Sequence, residues 1–412
     1  MLRSVHRSLH TSKKPQQFLY GWGNTQALPL TRAPSILTQP TLLCDESDYA
    51  LPINEVVNHM AAGWAHSLLG TSSHVYGFGV NQSYQIGTVD SHHVSYTLKQ
   101  GETLRGLACG REHSHLVVGD PQDTVDTIYS MGNNMYGQLG TGESKSTRPG
   151  ELMATQQPAA IHGYEGERIV DIVCGMDNTV FATGKEENKV IFREIIAMTN
   201  FWGGEEDRNK MYAMGWGADG QLGQGHDQSD DQSVPSCLPL EGPLQKLSSS
   251  TDFTLALLGD GRLWVWGNSE YGQGMQGTKI DRILAPLPVT VLDQVVVVDV
   301  AAGGPFSVIL TEDGSVYTCG YGCLGQGKEV LETLTLQKVK GLDRAIRVFA
   351  ATDYAAAISE SGDLFTWGLN GSSGRLGLGH HQHEYVAKQV DMENNTVVDV
   401  ALGTNHALAL CV

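Results

Sequence analysis

The chain has little of several features that mark other classes of protein. No run of about 18 apolar residues occurs among its 412 residues, so no membrane-spanning helix is predicted. The seven cysteines are odd in number and show neither a disulfide framework nor the paired spacing of a zinc site, so reduced thiols are expected. Proline forms no tract and glycine has no period of three, which excludes collagen-like and low-complexity chains. Glycine is nevertheless abundant, at 49 residues, and these glycines are expected to mark turns between folded units.

Positive charge is also scarce. The chain has 45 acidic and 27 basic side chains, a formal charge of −18, and four of the basic residues precede Phe18. Without them the charge is −22, which phosphate backbones repel, so DNA binding is not predicted. One stretch is basic enough to contact RNA, and an ordinary solvated surface is the alternative interpretation of it. Its basic residues are Lys328, Lys338, Lys340, Arg344 and Arg347.

Acidic residues are absent before Asp45, while the opening segment MLRSVHRSLHTSKK contains four basic residues and three serines. This composition is typical of a transit peptide. On a helical projection its apolar and basic side chains fall on different sides, and Pro15 ends the pattern. We therefore predict a presequence over residues 1–17 and a location in the mitochondrial matrix or on the matrix face of the inner membrane, with any membrane association peripheral. A frayed cytosolic N-terminus is the alternative.

Seven segments of the chain end in the pattern apolar–aromatic–x–x–Gly. Their final glycines are separated by 56, 53, 83, 52, 53 and 48 residues, so a period near 53 holds except for one gap longer by about 30 residues. The long gap indicates an insertion in one repeat. The segments are LYGWG, VYGFG, IYSMG, MYAMG, LWVWG, VYTCG and LFTWG, which end at Gly23, Gly79, Gly132, Gly215, Gly267, Gly320 and Gly368.

A second signal precedes each later segment: a small residue or glycine, a short polar turn and an apolar strand, as in AGWAHSLL and CGREHSHLVV. Tight turns such as EDG at 312–314 join the two signals, and strand–turn–strand is a β-hairpin. An additional apolar strand, such as NTVVDVAL, comes before the glycine loop. Each repeat is therefore expected to hold three strands.

The two ends of the chain complement each other. The segment from Phe18 to Gly23 has only the second half of a repeat, whereas 397–410 has only the first half. Pairing them completes a seventh unit and leaves no bare strand edge, while a solenoid would instead need polar caps. We therefore predict an all-β, seven-bladed propeller over residues 18–412, in which one blade is closed by the N- and C-terminal strands.

The segments YSMGNNMYGQLGTG, YAMGWGADGQLGQGH and LFTWGLNGSSGRLGLG resemble the repeat of the regulator-of-chromosome-condensation family, whose fold is a seven-bladed propeller. MGNNMYGQ and GYGCLGQG are similar to the mitochondrial, exchange-factor-like branch of that family. The resemblance implies guanine-nucleotide exchange on a mitochondrial GTPase, such as the inner-membrane fusion dynamin. The same branch is associated with ribosomal RNA and with assembly of the mitochondrial large ribosomal subunit, and a scaffold of that kind is the alternative function.

An exchange factor lowers nucleotide affinity by binding one state of a GTPase more tightly than another, and it needs no catalytic acid or base. In the nuclear exchange factor of the family, a Gly-x-Asp-His loop lies on the exchange face. Here the loop GMDN retains Asp177 and has Asn178 in place of the histidine. The paired histidines two blades later are replaced by Gly304-Pro305-Phe306. Asp177 and Asn178 are nevertheless candidate partner-binding residues.

The insertion at 185–210 is a second candidate contact element, because aromatic side chains within a polar rim favour partner binding. A helix or hairpin packed on its own blade is the alternative. Its candidate contacts are Phe192, Phe201, Trp202, Glu205 and Glu206.

No catalytic residue, metal site or cofactor is predicted. Three histidines, His66, His113 and His406, fill a loop position that Asn, Phe or Tyr fills in the other repeats, which favours a structural role. Two G-x-G-x-x-G matches open no helix and so do not predict a dinucleotide site. The sequence predicts a non-enzymatic, exchange-factor-like regulator of a mitochondrial GTPase. Ribosome assembly factors and ribosomal RNA are its alternative partners.

Overall fold

The computed structural model describes residues 17–30, 33–43, 55–87, 93–119, 125–143, 153–164, 168–184, 209–225, 230–290 and 295–412. Nearly all regular structure is strand, with one 3-10 turn at Thr25–Ala27. The first strands are β1 (Phe18–Asn24), β2 (Ile36–Leu42), β3 (His59–Ala62), β4 (His66–Gly70), β5 (His74–Gly79), β6 (His93–Thr97), β7 (Thr103–Cys109), β8 (His113–Gly119), β9 (Asp126–Asn133), β10 (Ala154–Ala160), β11 (Arg168–Cys174), β12 (Asn178–Gly184), β13 (Asn209–Gly215) and β14 (Gln232–Gly242). The others are β15 (Leu244–Ser250), β16 (Phe253–Leu258), β17 (Leu263–Ser269), β18 (Ile280–Pro288), β19 (Val297–Ala302), β20 (Phe306–Thr311), β21 (Val316–Tyr321), β22 (Glu332–Lys338), β23 (Ala345–Ala350), β24 (Tyr354–Ser359), β25 (Leu364–Gly368), β26 (Glu384–Gln389), β27 (Val397–Leu402) and β28 (His406–Cys411).

These strands form seven antiparallel four-stranded sheets, so the predicted seven-bladed propeller is confirmed. Blade 1 consists of β3–β6, blade 2 of β7–β10, blade 3 of β11–β14, blade 4 of β15–β18, blade 5 of β19–β22 and blade 6 of β23–β26. Blade 7 has the order β27, β28, β1 and β2. The predicted closure is confirmed too, because β1 pairs with β28 from Phe18 opposite Cys411 to Gly23 opposite His406.

The position of a strand in its blade explains its composition. The first strands of neighbouring blades contact one another around a central channel. The second strands are packed between blades on both faces, and every residue in β4, β8, β12, β16, β20, β24 and β28 is buried. A strand buried on both faces is a continuous apolar run and does not alternate. This is why the strongest apolar runs of the sequence are second strands.

The repeated glycine ends or nearly ends each third strand, and its conformation accounts for its recurrence. At Gly267 the φ angle is +100°, and a Cβ there would lie 2.3 Å from the carbonyl oxygen of Asp252. The following residue, Asn268, donates its N–H to that same carbonyl at 2.8 Å. The other six repeated glycines have φ between +91° and +119°, and a Cβ at each would clash with the corresponding carbonyl oxygen of its own blade. A side chain therefore fits at none of the seven positions.

Each repeat was expected to hold three strands, but the structure contains a fourth on the outer edge of every blade. The sequence hides these strands because several contain proline, for example Pro235 and Pro239 in β14. Proline is tolerated in an edge strand, where its missing N–H faces no partner strand.

Two expectations fall outside the described residues. The predicted presequence lies there apart from Gln17, as does most of the predicted insertion. The structure places β12 before the insertion and β13 after it, and its last two residues, Asn209 and Lys210, belong to β13. None of the described helical segments has the length and apolar composition that a bilayer crossing requires.

Candidate interaction face

Two sets of loops emerge at the same end of the propeller. In an antiparallel blade, the first and third strands end at the same edge of the sheet, on either side of the start of the second strand. We call this end the loop face. Its inner loops join first to second strands at 63–65, 110–112, 175–177, 251–252, 303–305, 351–353 and 403–405.

The inner loops bond one another around the channel mouth. Two of the seven junctions use threonine hydroxyls: Thr251 Oγ1 donates to the carbonyl of Gly304 at 3.4 Å, and the Oγ1 atoms of Thr352 and Thr404 are 3.2 Å apart. The ring of contacts surrounds a cavity of about 130 Å³. The other five junctions use backbone N–H to carbonyl bonds: Trp64 to Gly110, Arg111 to Met176, Met176 to Thr251, Gly304 to Thr352 and Thr404 to Gly63.

The first residue of each second strand, called here the slot residue, also links blades. His66 Nε2 lies 2.9 Å from Ser114 Oγ of blade 2, and His406 Nε2 lies 2.7 Å from Ser67 Oγ of blade 1. Tyr354 donates its hydroxyl to the carbonyl of Gly403 in blade 7 at 2.8 Å. These contacts fit the structural role expected for the slot. The slot residues are His66, His113, Asn178, Phe253, Phe306, Tyr354 and His406, and all are buried.

Burial keeps the slot histidines neutral. It lowers the pKa of His66 to about 3 and that of His406 to about 4, and it also places the pKa of His113 well below the ordinary value. Neutral, buried imidazoles that bond a neighbouring blade are poorly placed to exchange protons with a substrate. Bonds between blades therefore account for His66 and His406.

The residue before the slot is acidic in four of the seven blades. Glu112 accepts hydrogen bonds from Ser83 Oγ and Asn133 Nδ2, each at 2.9 Å. Asp353 accepts from Arg375 at 3.3 Å. The other two members of this column are Asp177 and Asp252.

Asp177 forms an ion pair with Arg111 of the neighbouring blade, with 2.5 Å between its Oδ2 and the Nη2 atom. Arg111 also lies over the indole ring of Trp64, 5.9 Å from its centroid. Burial raises the pKa of Asp177, against the opposing effect of Arg111. Arg111 thus joins an exposed aromatic ring to a mostly buried carboxylate.

Asp252 is the most perturbed carboxylate of this face. Its pKa is raised to about 6, first by burial and then by the charges of Asp219 and Asp177. Three carboxylates therefore converge with Arg111 as the nearby positive charge, which leaves an excess of negative charge over blades 3 and 4. A group whose pKa is raised by neighbours of like charge gains from a positively charged partner.

Aromatic side chains border this acidic area. Tyr136 and Trp216 meet edge to face across the junction of blades 2 and 3, with centroids 4.4 Å apart. Between blades 4 and 5, the rings of Tyr271 and Tyr321 are tilted by 32° to each other, with centroids 5.4 Å apart. These four residues, called here the aromatic rim, lie where the loops that follow the third strands begin. Tyr271 and Tyr321 are 40% and 45% exposed, which leaves them available to a partner.

Asp177 and the strand ends that flank the insertion lie at opposite ends of blade 3. Asp177 and Asn178 are on the loop face, and Asn178 is buried, so only Asp177 reaches the surface. The insertion departs from Gly184 and returns at Asn209, at the far ends of β12 and β13. Its candidate contacts Phe192, Phe201, Trp202, Glu205 and Glu206 lie outside the described residues and stay predictions.

The predicted RNA contacts are only partly available. Arg347 pairs with Asp399 at 2.7 Å, and Arg344 lies 3.8 Å from Glu360. The remaining three, Lys328, Lys338 and Lys340, are exposed. Lys338 donates to the hydroxyl of Ser315 at 2.9 Å.

Sequence reasoning selected Asp177 but missed Arg111, Trp64, Asp252 and the aromatic rim. These residues can be found in the sequence only by their position, because each stands at a fixed number of residues from a slot residue or a repeated glycine. Comparing the seven repeats column by column identifies the acidic column before the slot. Contacts between blades, such as that of Arg111 with Asp177, join residues 66 positions apart and need the fold.

Comparison with known proteins agrees with this architecture. The family model "Regulator of chromosome condensation (RCC1) repeat" matches residues 126–182, 208–257, 260–310 and 361–410. The RCC1-like G exchanging factor-like protein of Mus musculus is 30% identical over 397 residues, which cover 88% of this chain and 78% of that protein. The crystal structure of human WBSCR16 superposes with a TM-score of 0.77 at 26% identity, covering 96% of this chain and 98% of that one. Prp20p from Saccharomyces cerevisiae shares the fold, with a TM-score of 0.75 at 18% identity over 97% and 92% of the two chains. The chain therefore belongs to the regulator-of-chromosome-condensation repeat family.

Proposed function

We propose that the protein is a non-enzymatic, exchange-factor-like regulator of a mitochondrial GTPase and that it docks through the loop face of blades 2–5. Its similarity to the mouse exchange-factor-like protein supports the coarser part of this function. The observation that carries the docking site is the group of three interacting carboxylates, Asp177, Asp219 and Asp252, bordered by the aromatic rim.

The physical requirement for exchange is a difference in affinity between two states of the GTPase. Nucleotide phosphates on a GTPase are held by a lysine and by backbone N–H groups, and these lose their anionic partner when the nucleotide leaves. An acidic face complements such a surface in the nucleotide-free state and competes with the phosphates in the loaded state. The aromatic rim supplies apolar contact area next to this charge.

The mitochondrial location rests on the composition of residues 1–17. Import of the full chain into isolated mitochondria, with protection from added protease, tests it. A variant lacking residues 1–17 is the matched control and is expected to remain outside. Import of the truncated chain at the rate of the full chain would contradict the proposed presequence.

Release of fluorescent guanine nucleotide from mitochondrial GTPases, including the inner-membrane fusion dynamin, tests the function. We expect the chain to accelerate release and the double substitution Asp219→Asn/Asp252→Asn to reduce that acceleration about 10-fold or more, as loss of paired charges at an interface costs at least 1.4 kcal/mol. Both residues are only partly exposed and asparagine is close in shape, so the fold is preserved; circular dichroism and the melting temperature check this.

A second variant separates the two candidate contact elements. Replacing 186–207 by a short turn removes the insertion at the opposite end, between Gly184 and Asn209. Docking through the loop face predicts that release is unchanged. Release abolished by this deletion and unaffected at Asp219 and Asp252 would assign docking to the insertion instead. No acceleration with any GTPase would contradict the exchange function.

The exposure of Lys328, Lys338 and Lys340 favours the second candidate, a scaffold in assembly of the mitochondrial large ribosomal subunit. Cross-linking to ribosomal RNA in mitochondria tests it. We expect alanine at all three positions to remove the cross-link if RNA is bound there. Retention of the cross-link would exclude this surface.

A further inference from the structure

A group of metal-ligating side chains lies beneath the loop face at the junction of blades 2 and 3. His113 and His115 belong to β8, and Cys174 ends β11 of the next blade. One ligand atom from each lies within 4.8 Å of the other two, and all three groups are buried. Imidazole and thiolate are the donors that zinc and copper prefer.

The three donors converge on one point. Thr179 Oγ1 lies 3.1 Å from His113 Nε2, 2.9 Å from His115 Nε2 and 3.8 Å from Cys174 Sγ. Two imidazoles and a thiol therefore share a single hydroxyl, which also contacts the carbonyl of Gln138 at 3.3 Å. An ion near this point would have three protein ligands and a hydroxyl close to a fourth position.

His115 is the feature that packing does not explain. It stands two residues after the slot, where the other six blades have Leu68, Val180, Leu255, Val308, Ala356 and Leu408. A fully buried imidazole in an aliphatic position costs stability unless both ring nitrogens are satisfied. In both His113 and His115 the Nε2 atom bonds Thr179, while the Nδ1 atom, like that of His66 and His406, has no hydrogen-bond partner among the described residues.

We propose that His113, His115 and Cys174 form a buried site for a thiophilic transition-metal ion, Zn²⁺ or Cu⁺, that joins blades 2 and 3. Binding forms bonds from the metal to two neutral imidazole nitrogens and to the sulfur. The thiol proton is lost to solvent in exchange for the metal.

The site lies next to the channel mouth. Cys174 lines the cavity of about 130 Å³ there, together with Gly175 and Met176, while its thiol is buried with the two imidazoles. The bound ion would fix the blade junction that carries the Arg111–Asp177 pair, but its binding is independent of any GTPase.

The test uses the full chain, purified without a polyhistidine tag and freed of metal by a chelator. Zn²⁺ is titrated in competition with a chromophoric chelator, and Cu⁺ in competition with a Cu⁺-specific chelator under reducing conditions. We expect one equivalent to bind and the melting temperature to rise, and the tighter ion of the two identifies the metal. Co²⁺ as a probe is expected to show a thiolate charge-transfer band.

Two variants adopt residues that other blades have at the same positions: His115→Leu, as at Leu68, and Cys174→Ala, as at Ala302. Each is expected to weaken binding more than about 100-fold, because loss of a second-shell partner alone costs about 10- to 100-fold. His115→Leu is also expected to melt at or above the temperature of the metal-free parent, since it removes a buried imidazole. His406→Asn, which changes a slot histidine outside the group of His113, His115 and Cys174, is the control and retains the metal.

Either of two results would overturn the site. One is failure of the parent chain to bind Zn²⁺ or Cu⁺ in stoichiometric amount. The other is unchanged binding in both His115→Leu and Cys174→Ala, which would place the ion elsewhere on the chain.

Discussion

The first strands hold neighbouring blades together by different means at two levels. At the loop face, neutral groups bond across each junction through backbone amides, threonine hydroxyls and slot residues. Seven residues before the slot, charged side chains make the contacts in blades 3–7. The residues at this second level, called here the charged ring, are His59, Gly106, Asp171, Lys246, Asp299, Arg347 and Asp399.

Charges alternate in sign from blade 3 to blade 7 of the charged ring. Lys246 pairs with Asp299 at 2.5 Å, and Arg347 pairs with Asp399 at 2.7 Å. At the junctions between these pairs, a carboxylate accepts a backbone N–H of the next blade: Asp171 from Leu247, and Asp299 from Val348. A ring of seven cannot alternate throughout, and Gly106 stands where the alternation breaks. Neutral contacts thus repeat in every blade, whereas charged contacts distinguish one neighbour from the next.

The largest effect is expected from Asp299→Ala. Asp299 is 1% exposed and accepts hydrogen bonds from Lys246 and from two backbone N–H groups. Its removal leaves a partly buried ammonium and two amides without their acceptor, so the free energy of unfolding should fall by about 3–5 kcal/mol. Urea denaturation measures this.

The matched control is Asp399→Ala in the same column. Asp399 and Arg347 are 37% and 35% exposed, so solvent screens the pair and the loss should be about 1 kcal/mol or less. Equal losses of unfolding free energy in the two variants would show that burial does not determine how much each ion pair of the charged ring stabilises the fold.

The next effect is expected at the loop face, from Gly267→Ala. The positive φ costs about 1–2 kcal/mol, and the clash with the carbonyl of Asp252 disrupts the bond from Asn268, worth about 1 kcal/mol more. Gly277→Ala is the control, since it has φ +72° and nothing within 4 Å of an added Cβ. The melting temperatures of the two variants should therefore differ, and equal values would remove the steric explanation of the repeated glycine.

The two levels also differ in how far the sequence predicts them. The repeated glycine, the seven-fold repeat and the half-repeats at the two ends of the chain can each be seen in a short segment of sequence. A positive φ or a hairpin turn restricts the residues that are allowed at one position. The charged ring is not local. Lys246 and Asp299 are 53 residues apart, and their attraction depends on which blades become neighbours.

Edge strands and the acidic area were missed for related reasons. Several outer strands contain proline, which is typical of loops as well as of edge strands, so composition does not separate them from loops. Asp177 stands in the motif that the family resemblance supplied. Asp252 could not be identified from the sequence, because its raised pKa comes from burial and then from the charge of Asp219, which only the folded chain brings together.

The pH dependence of the free energy of unfolding tests the buried slot histidines. The slot histidine His66 has a pKa lowered to about 3, whereas an unfolded histidine titrates near 6.5. Below pH 6.5 the unfolded chain therefore binds the proton that the folded chain rejects, and stability falls as pH decreases toward 3. From pH 7 to 5.5 this costs about 1 kcal/mol for one histidine.

The variant His66→Asn, which adopts the slot residue of blade 3, tests this contribution. It should lose about 1 kcal/mol less stability over the interval from pH 7 to 5.5 than the parent, measured by urea denaturation at both pH values. The raised pKa of Asp252 acts in the opposite direction in both proteins and cancels in the difference. An unchanged difference between the two pH values would show that His66 accepts a proton in the folded chain.

The smallest effect concerns binding at the loop face and depends on the proposed GTPase partner. Asp252 has a pKa of about 6 in the free protein, so at pH 7.5 it is almost fully ionised and at pH 5.5 mostly protonated. If a basic partner surface binds the ionised form, the apparent affinity should fall about 4-fold over this interval, in proportion to the ionised fraction. Asp252→Asn should bind more weakly at pH 7.5 and lose this part of the pH dependence, whereas Asp399→Asn, in the charged ring, should leave it unchanged. A pH dependence that is equal in all three proteins would assign the titration to the partner, and the charge of the loop face would then play no part in docking.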